Sequence, residues 1–321
     1  MAKSELYDFA VEAGQSTDDE GGEIDVDEGV LGGIDAKCDN GIVSYKCSHL
    51  CMQYIRSIVS KLVSPAYNHN SFHLRLRNPS SLHDIRLQGL VKSLYDELSA
   101  SRFEKLKHGF QVLPHISCPS TFNTGASETD EECGRIPHIM AEIGYANRLE
   151  NVMFGGTFDR LHYGHKYTIL CSFMMAKSHL YLGISKSHQL TADKLYGHLI
   201  QPYHERLYNI QKYITDISDL TSTPVKISVF DHYVEPQQLT PRVGQLQIVI
   251  FPILSPIFPA EIANSEFVLV VTEDTFKGGR AVNDARKRRG LLPWPLVQLP
   301  LVGIPVISST KLRAPEAVHS I

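Results

Sequence analysis

Apolar positions along the chain follow two different periods. Between Tyr45 and Val63, Leu50, Tyr54, Ile58 and Leu62 recur at four-residue steps, and between Ile85 and Leu98 a similar stripe runs through Leu87, Leu90, Leu94 and Leu98. Side chains at such steps share one face of a helix, so both segments predict amphipathic helices. From about residue 146 the period changes. The apolar run "VMFGG" precedes a helix-like "HKYTILCSFMMAKS". "HLYLGIS" then precedes a helix from Pro202 to Leu220 with a proline at its start. "QIVIF" and "FVLVVT" are β-rich, "AVNDARKRRG" is a helix closed by Gly290, and "LVQLPLV" is a last strand. Strands alternating with helices of about 10 to 15 residues predict an α/β fold, a Rossmann-like doubly wound parallel sheet. Ligands of such sheets sit at the carboxyl ends of the strands, near the switch point. The stretch 221–246 is long for a connection, and the pattern leaves open which β-like run there is the core strand.

Residues 14–36 are acidic and glycine-rich with few large side chains, which predicts a disordered acidic tail over residues 1–40. The segment 117–133, "SCPSTFNTGASETDEEC", is polar and turn-rich and marks a linker or surface loop. The expected division is therefore the tail, a mainly helical region at 41–145 with room for a protein partner, and a chemistry-bearing domain at 146–321.

The 321 residues, 43% hydrophobic and 21% charged, are enough for a sizeable core. A net charge of -4 gives no reason to expect a nucleic-acid partner, and the basic run "RKRRG" at 286–290 is read as a solvated helix face. No run of about 18 apolar residues occurs and the first residues lack an apolar core of a leader, so a cytoplasmic protein without a membrane span is expected. The six cysteines (38, 47, 51, 118, 133 and 171) are irregularly spaced and are read as reduced thiols. Cys47, His49 and Cys51 lack a second ligand pair, so no metal site is expected.

The candidate chemistry begins at "FGGTFDRLHYGH", Phe154 to His165. Gly155 and Gly156 fall at the end of the first strand of the alternating half, where absent side chains let the backbone approach a ligand and offer it N–H groups. The next helix begins near Tyr163 to His165, and its N-terminus favours negative charge, so a phosphate suits the turn. His162 and His165, three apart, lie on one side of that turn. An imidazole donating to a phosphoryl oxygen stabilises charge as it develops. A second anion cradle is "VISSTKLR", Val306 to Arg313, where Ser308, Ser309 and Thr310 bring hydroxyls and Arg313 a charged donor.

These two segments resemble the signatures of the HxGH nucleotidyltransferases. "LIQPYHERL" (199–207), "FPILSPIFPAEI" (251–262) and "VVTEDTFKGGRAVNDARKRRGL" (270–291) are similar to segments of the archaeal and eukaryotic type of phosphopantetheine adenylyltransferase, and the likeness spans about residues 150–313. It implies transfer of AMP from ATP to 4′-phosphopantetheine, giving dephospho-coenzyme A and pyrophosphate, with Mg²⁺ carried on the ATP phosphates. It implies that Gly155, Gly156, Thr157 and Phe158 hold the reacting phosphates, with the Thr157 hydroxyl also on the acceptor. His162 and His165 lie on the ATP phosphates, with His165 nearest the transferring group. Lys194 is the cation between the two substrates' phosphates, or else a solvated loop lysine, since Leu195 stands where the family has a second lysine. Arg206 binds the pantetheine phosphate or pairs with Glu205 or Asp216. Glu273, Lys277 and Gly278 lie over the nucleotide or form a surface helix cap, and Ser308, Ser309, Thr310 and Arg313 bind the β- and γ-phosphates. Eight residues follow Arg313, leaving little C-terminal helix, and, as no Gly-x-x-x-x-Gly-Lys-Ser/Thr loop occurs, the adenylyltransferase step alone is expected, without a fused dephospho-coenzyme A kinase. Another HxGH adenylyl- or cytidylyltransferase, or a catalytically silent binding protein that keeps the fold, are the alternatives.

Overall fold

The computed structural model describes residues 22–26, 28–39, 41–64, 71–76, 84–101, 111–116, 149–239 and 244–319. The expected linker at 117–133 and the first 21 residues lie outside them. In chain order the amino-terminal part contains β1 (Gly22–Val26), α1 (Glu28–Gly32), β2 (Ile34–Asp39), β3 (Ile42–Cys47), α2 (His49–Leu62), β4 (Ser71–Leu76), α3 (Ile85–Ala100) and β5 (Gln111–Ile116). Then come β6 (Leu149–Gly156), α4 (Tyr163–Met175), β7 (Ala176–Ser185), α5 (Tyr203–Thr221), β8 (Val225–Val229), β9 (Leu246–Ile253), β10 (Val268–Thr272), α6 (Phe276–Arg288), β11 (Leu296–Leu299) and α7 (Ser309–His319).

The larger sheet has eight strands in the order β2-β3-β11-β10-β6-β7-β9-β8. Strands β6 to β11 run parallel, which is the doubly wound architecture expected. From β6 the chain passes to β7, then to the edge strand β8, returns to place β9 between those two, and crosses back to β10 and β11 on the other side. The switch point therefore falls at the carboxyl end of β6, where Gly155 and Gly156 stand. Strands β7 and β9 are buried along nearly their whole length, as covered parallel strands must be. The open question about 221–251 resolves on the same ground: β9 is the core strand, paired with β7 on one side and with β8, the sheet edge, on the other. Helix α4 is buried almost all round, with Tyr167, Leu170, Phe173 and Met174 in the core, because it lies under the sheet and against α3 and α5.

Four readings of the sequence need correction. The composition of residues 22–36 suggests a disordered tail, yet β1 pairs in parallel with β4, and Ile24, Val26, Val30, Leu31 and Ile34 are buried. Average composition hides a few apolar side chains whose partners are supplied from elsewhere in the chain. The region 41–145 holds its two expected helices, but β3 precedes α2 and docks on β11, where Gln298 N–H donates to the Gly41 carbonyl at 2.6 Å. On α2 the buried seam is Cys51, Ile55, Ile58, Val59 and Leu62, while Leu50 is exposed, because Ser48 caps the helix and sets its phase. In the basic run, Arg286 is buried rather than solvated. Its guanidinium lies 4.1 Å from the Trp294 ring centre and donates to the carbonyls of Ala260, Ala263 and Leu292.

Candidate active site

At the end of β6 a side chain at position 155 would put its Cβ 2.6 Å from Ile253 Cδ1, so glycine here leaves room for the Ile253 side chain, which reaches from β9 across Gly183 of β7. The next residues are held in a tight form: Phe158 (φ 53°) and Arg160 (φ 48°) are left-handed, a conformation that costs free energy unless the surroundings enforce it. Phe158 is buried between Phe154 and the His165 ring. Arg160 N–H donates to Gln201 Oε1 at 2.6 Å.

Asp159 is the buried centre of this turn. Its side chain is fully covered and accepts from Arg313 Nη1 at 2.6 Å, from Arg160 Nη1 and from the Gln201 N–H, while its carbonyl accepts from the Ser309 hydroxyl. One carboxylate thus ties the Gly-Gly turn to the start of α7. Arg206 does the same from the other side, donating to the carbonyls of Thr157 (2.6 Å), Ser185 and Gln201. It pairs with neither Glu205 nor Asp216, and these three bonds all go to backbone, which corrects the expectation of a helix-surface pair. Arg206 is 4% exposed, so it acts as a strap under the glycine turn.

His162 opens α4 without capping it, and its ring stacks on His165 with centres 3.8 Å apart and 19° between planes. Neither Nδ1 has a partner among the described residues. Burial holds the His162 ring well below the ordinary imidazole range, aided by its neighbour His165, and pushes His165 down to about 3, with Lys194 adding to it. Both rings line the cleft and are neutral at pH 7. The tautomer with its proton on Nε2 presents a donor to whatever enters. Lys194 Nζ donates to Thr157 Oγ1 at 2.8 Å; its pKa is lowered, first by burial and then by Arg313.

The unfolded chain binds a proton on each histidine below the ordinary imidazole pKa of 6.5, and the folded chain does not until far lower pH. The unfolded state therefore gains protons first, so stability should fall as pH drops below 6.5, by up to about 1.4 kcal/mol per pH unit for each ring, and for His165 this continues down to about 3. Denaturant unfolding between pH 7 and pH 4.5 checks this. The slope should be shallower in His165→Gln.

A cleft of about 380 Å³ collects Gly155, Gly156, Thr157, His162, His165, Lys194, Ser308, Ser309, Thr310 and Arg313. The Gly155–Gly156 backbone also borders a second cavity of about 340 Å³, walled by Phe251, Ile253, Phe258, Val282 and Trp294. Ser308 accepts from the Lys311 N–H, and Thr310 accepts from Arg313. Arg313 borders the cleft but is 1% exposed and committed to Asp159, Thr310 and the Leu195 carbonyl, so it is not the free cation of an open cradle. Glu273 and Lys277 are exposed and border neither cavity, whereas Gly278 borders the apolar one. Their neighbours Asp274 and Thr275 border both. Asp159 and Asp274 are the only carboxylates on the cleft wall among the described residues, and no group of three or more metal-ligating acids, histidines or cysteines exists there. No described helix is long and apolar enough to cross a membrane.

A parallel sheet with its switch point at a glycine turn, facing paired imidazoles and a hydroxyl-rich helix start, defines a nucleotidyltransferase type of domain. The cytidylyltransferase-like family matches residues 153–314, and the chain belongs to it. It is 31% identical over 170 residues to the phosphopantetheine adenylyltransferase of Thermococcus kodakarensis, covering 52% of this chain and 86% of that one. It is equally 31% identical over 170 residues to that of Pyrococcus horikoshii, with 52% and 90% covered. To that of Saccharomyces cerevisiae it is 27% identical over 159 residues, 49% of this chain and 44% of the relative. A crystal structure of an Archaeoglobus fulgidus protein of unknown function aligns with 46% of this chain and 88% of its own, at 21% identity and a TM-score of 0.34.

Proposed function

We propose that the chain is a phosphopantetheine adenylyltransferase, joining ATP and 4′-phosphopantetheine to dephospho-coenzyme A and pyrophosphate. The observation that carries this reading is the pair of imidazoles stacked at the start of α4, facing Ser308–Thr310 across a cleft floored by Gly155 and Gly156. Relatives named for this activity support the choice of substrates. The triphosphate lies between the α4 and α7 starts, and the pantetheine arm takes the apolar cavity beside Ile253 and Phe258.

A phosphate oxygen of phosphopantetheine attacks the α-phosphorus in line. The new P–O bond forms as the bond to the bridging oxygen breaks, and pyrophosphate leaves with that electron pair. His162 and His165 donate to the α-phosphoryl oxygens. Lys194, already beside Thr157, sits between the two phosphates and offsets their repulsion. Asp159 and Arg206 act through the backbone they hold. Mg²⁺ would be carried by the triphosphate and would neutralise its charge, with Asp274, the one cleft carboxylate outside the Asp159 network among the described residues, as the side chain that would help hold it.

The test is pyrophosphate release from ATP with phosphopantetheine, nicotinamide mononucleotide or flavin mononucleotide. Release with phosphopantetheine alone is expected. Equal or faster turnover of either mononucleotide overturns the substrate assignment, and no turnover with any acceptor favours a silent binding protein.

A further inference from the structure

Through α3 the amino-terminal part braces elements that form the cleft wall without lining it. Helix α3 lies against the start of α4 and against the loop 300–307, whose Pro300, Val302, Val306 and Ile307 line the cleft and which leads into Ser308–Arg313. Asp96 Oδ1 accepts the Gly303 N–H at 2.6 Å, and its other oxygen is held by Lys92 one turn earlier. The Tyr95 ring stacks on Tyr163, with centres 5.4 Å apart and 17° between planes. Ser99 Oγ lies 3.1 Å from the Tyr163 hydroxyl. Tyr163 stands between the two histidines in sequence and is itself 4% exposed.

The two contacts meet. Gly303 has a φ of +99°, and a Cβ there would lie 2.4 Å from the Tyr163 hydroxyl, so the loop backbone rests directly on the tyrosine that α3 holds. The backbone N–H that a left-handed glycine turns outward is buried beside α3 and would be unpaired without Asp96. A carboxylate accepting a backbone N–H is a strong, directional contact. Tyr95, Asp96 and Ser99 occupy three positions within about one turn of one helix, so a rigid element addresses both halves of the site at once.

We propose that Tyr95, Asp96 and Ser99 are positioning residues that fix the distance between the imidazoles on α4 and the hydroxyls before α7, making the amino-terminal part a component of the nucleotide site. This rests on the reading of the cleft as an ATP site. None of the three borders the cleft, so each acts through Tyr163 or Gly303.

The full chain with Asp96→Ala, Asp96→Asn and Ser99→Ala tests it, by ATP titration calorimetry, by KM and kcat for pyrophosphate release, and by melting temperature. Asp96→Ala should weaken ATP binding and raise its KM by about tenfold, while Asp96→Asn, which keeps an acceptor for the Gly303 N–H, recovers part of that loss. Ser99→Ala should move ATP affinity in the same direction by a smaller factor. Variants that melt earlier yet bind ATP as tightly as the wild type overturn the proposal, because a merely structural brace changes stability alone. Should Asp96→Ala fail to fold, Asp96→Asn and Ser99→Ala decide on the same criterion. Wild-type chain that binds ATP but turns over no acceptor counts against the proposed reaction and leaves the calorimetric comparison valid; wild-type chain that does not bind ATP overturns both.

Discussion

Replacing His165 with alanine is expected to slow pyrophosphate release by about 10²- to 10³-fold, while ATP affinity changes by a far smaller factor. The reason lies in when the contact matters. Charge on the α-phosphoryl oxygens grows and redistributes as the new bond forms, and a donor fixed beforehand by stacking needs no reorganisation at that moment. His165 is fixed in this way, with Phe158 on one side and the His162 ring 3.8 Å away on the other. As a neutral ring, it adds no standing attraction to the already charged triphosphate, so ground-state binding has little to lose. His165→Gln places an amide N–H about where Nε2 reaches and should recover part of the rate. Single-turnover and equilibrium ATP-binding measurements separate the two quantities. A variant that melts early but whose folded fraction turns over normally makes this ring structural.

The second large effect concerns stability. Arg313→Ala should lower unfolding free energy by about 3–5 kcal/mol, because it leaves the fully buried Asp159 carboxylate without its shortest partner. Melting temperature should fall by roughly 10 °C, which calorimetry reads directly. Asp159 would keep Arg160 and the Gln201 N–H, so the loss is partial rather than complete. Neutralising the carboxylate with Asp159→Asn should cost less in the Arg313→Ala background than in the wild type, since there is then less to break. Equal costs in the two backgrounds would mean that the buried pair is not coupled.

That outcome runs against what the sequence alone suggests for Arg313, and the reason is physical. The motif "ISSTKLR" marks a helix start with an arginine one turn in, which is legible because capping hydroxyls and apolar flanks are local signals. Its ion-pair partner is 154 residues away, and no local pattern carries that separation. Asp159 stands within "GGTFD" but is missed by the sequence reading, because none of its four partners except Arg160 is near it in the chain. Outside 221–251, the strand and helix order of the alternating half is legible, down to the Tyr163 start of α4, because two-sided burial of parallel strands writes continuous apolar runs into the chain. The stripe on α3 is also sound: Leu87, Leu90, Leu94 and Leu98 are all buried. The strands of the amino-terminal part are not legible. β1 contributes two buried apolar side chains, and β3 exposes Ile42, so neither rises above its polar neighbours until β4 and β11 supply pairing. Arg286 belongs to the same class of failure. A run of four basic residues looks solvated, and only the fold brings Trp294 and three carbonyls to one of them.

That indole has a use beyond packing. The chain contains a single tryptophan, and it stands in the wall of the apolar cavity with a cation over its face and its N–H bonded to the Ser265 carbonyl. Tryptophan emission, excited at a wavelength where the tyrosines do not absorb, therefore arises from one fixed position, beside the place proposed for the pantetheine arm. Occupancy of that cavity becomes an optical quantity without any label, and it is read separately from events at the histidines on the other side of the glycine turn.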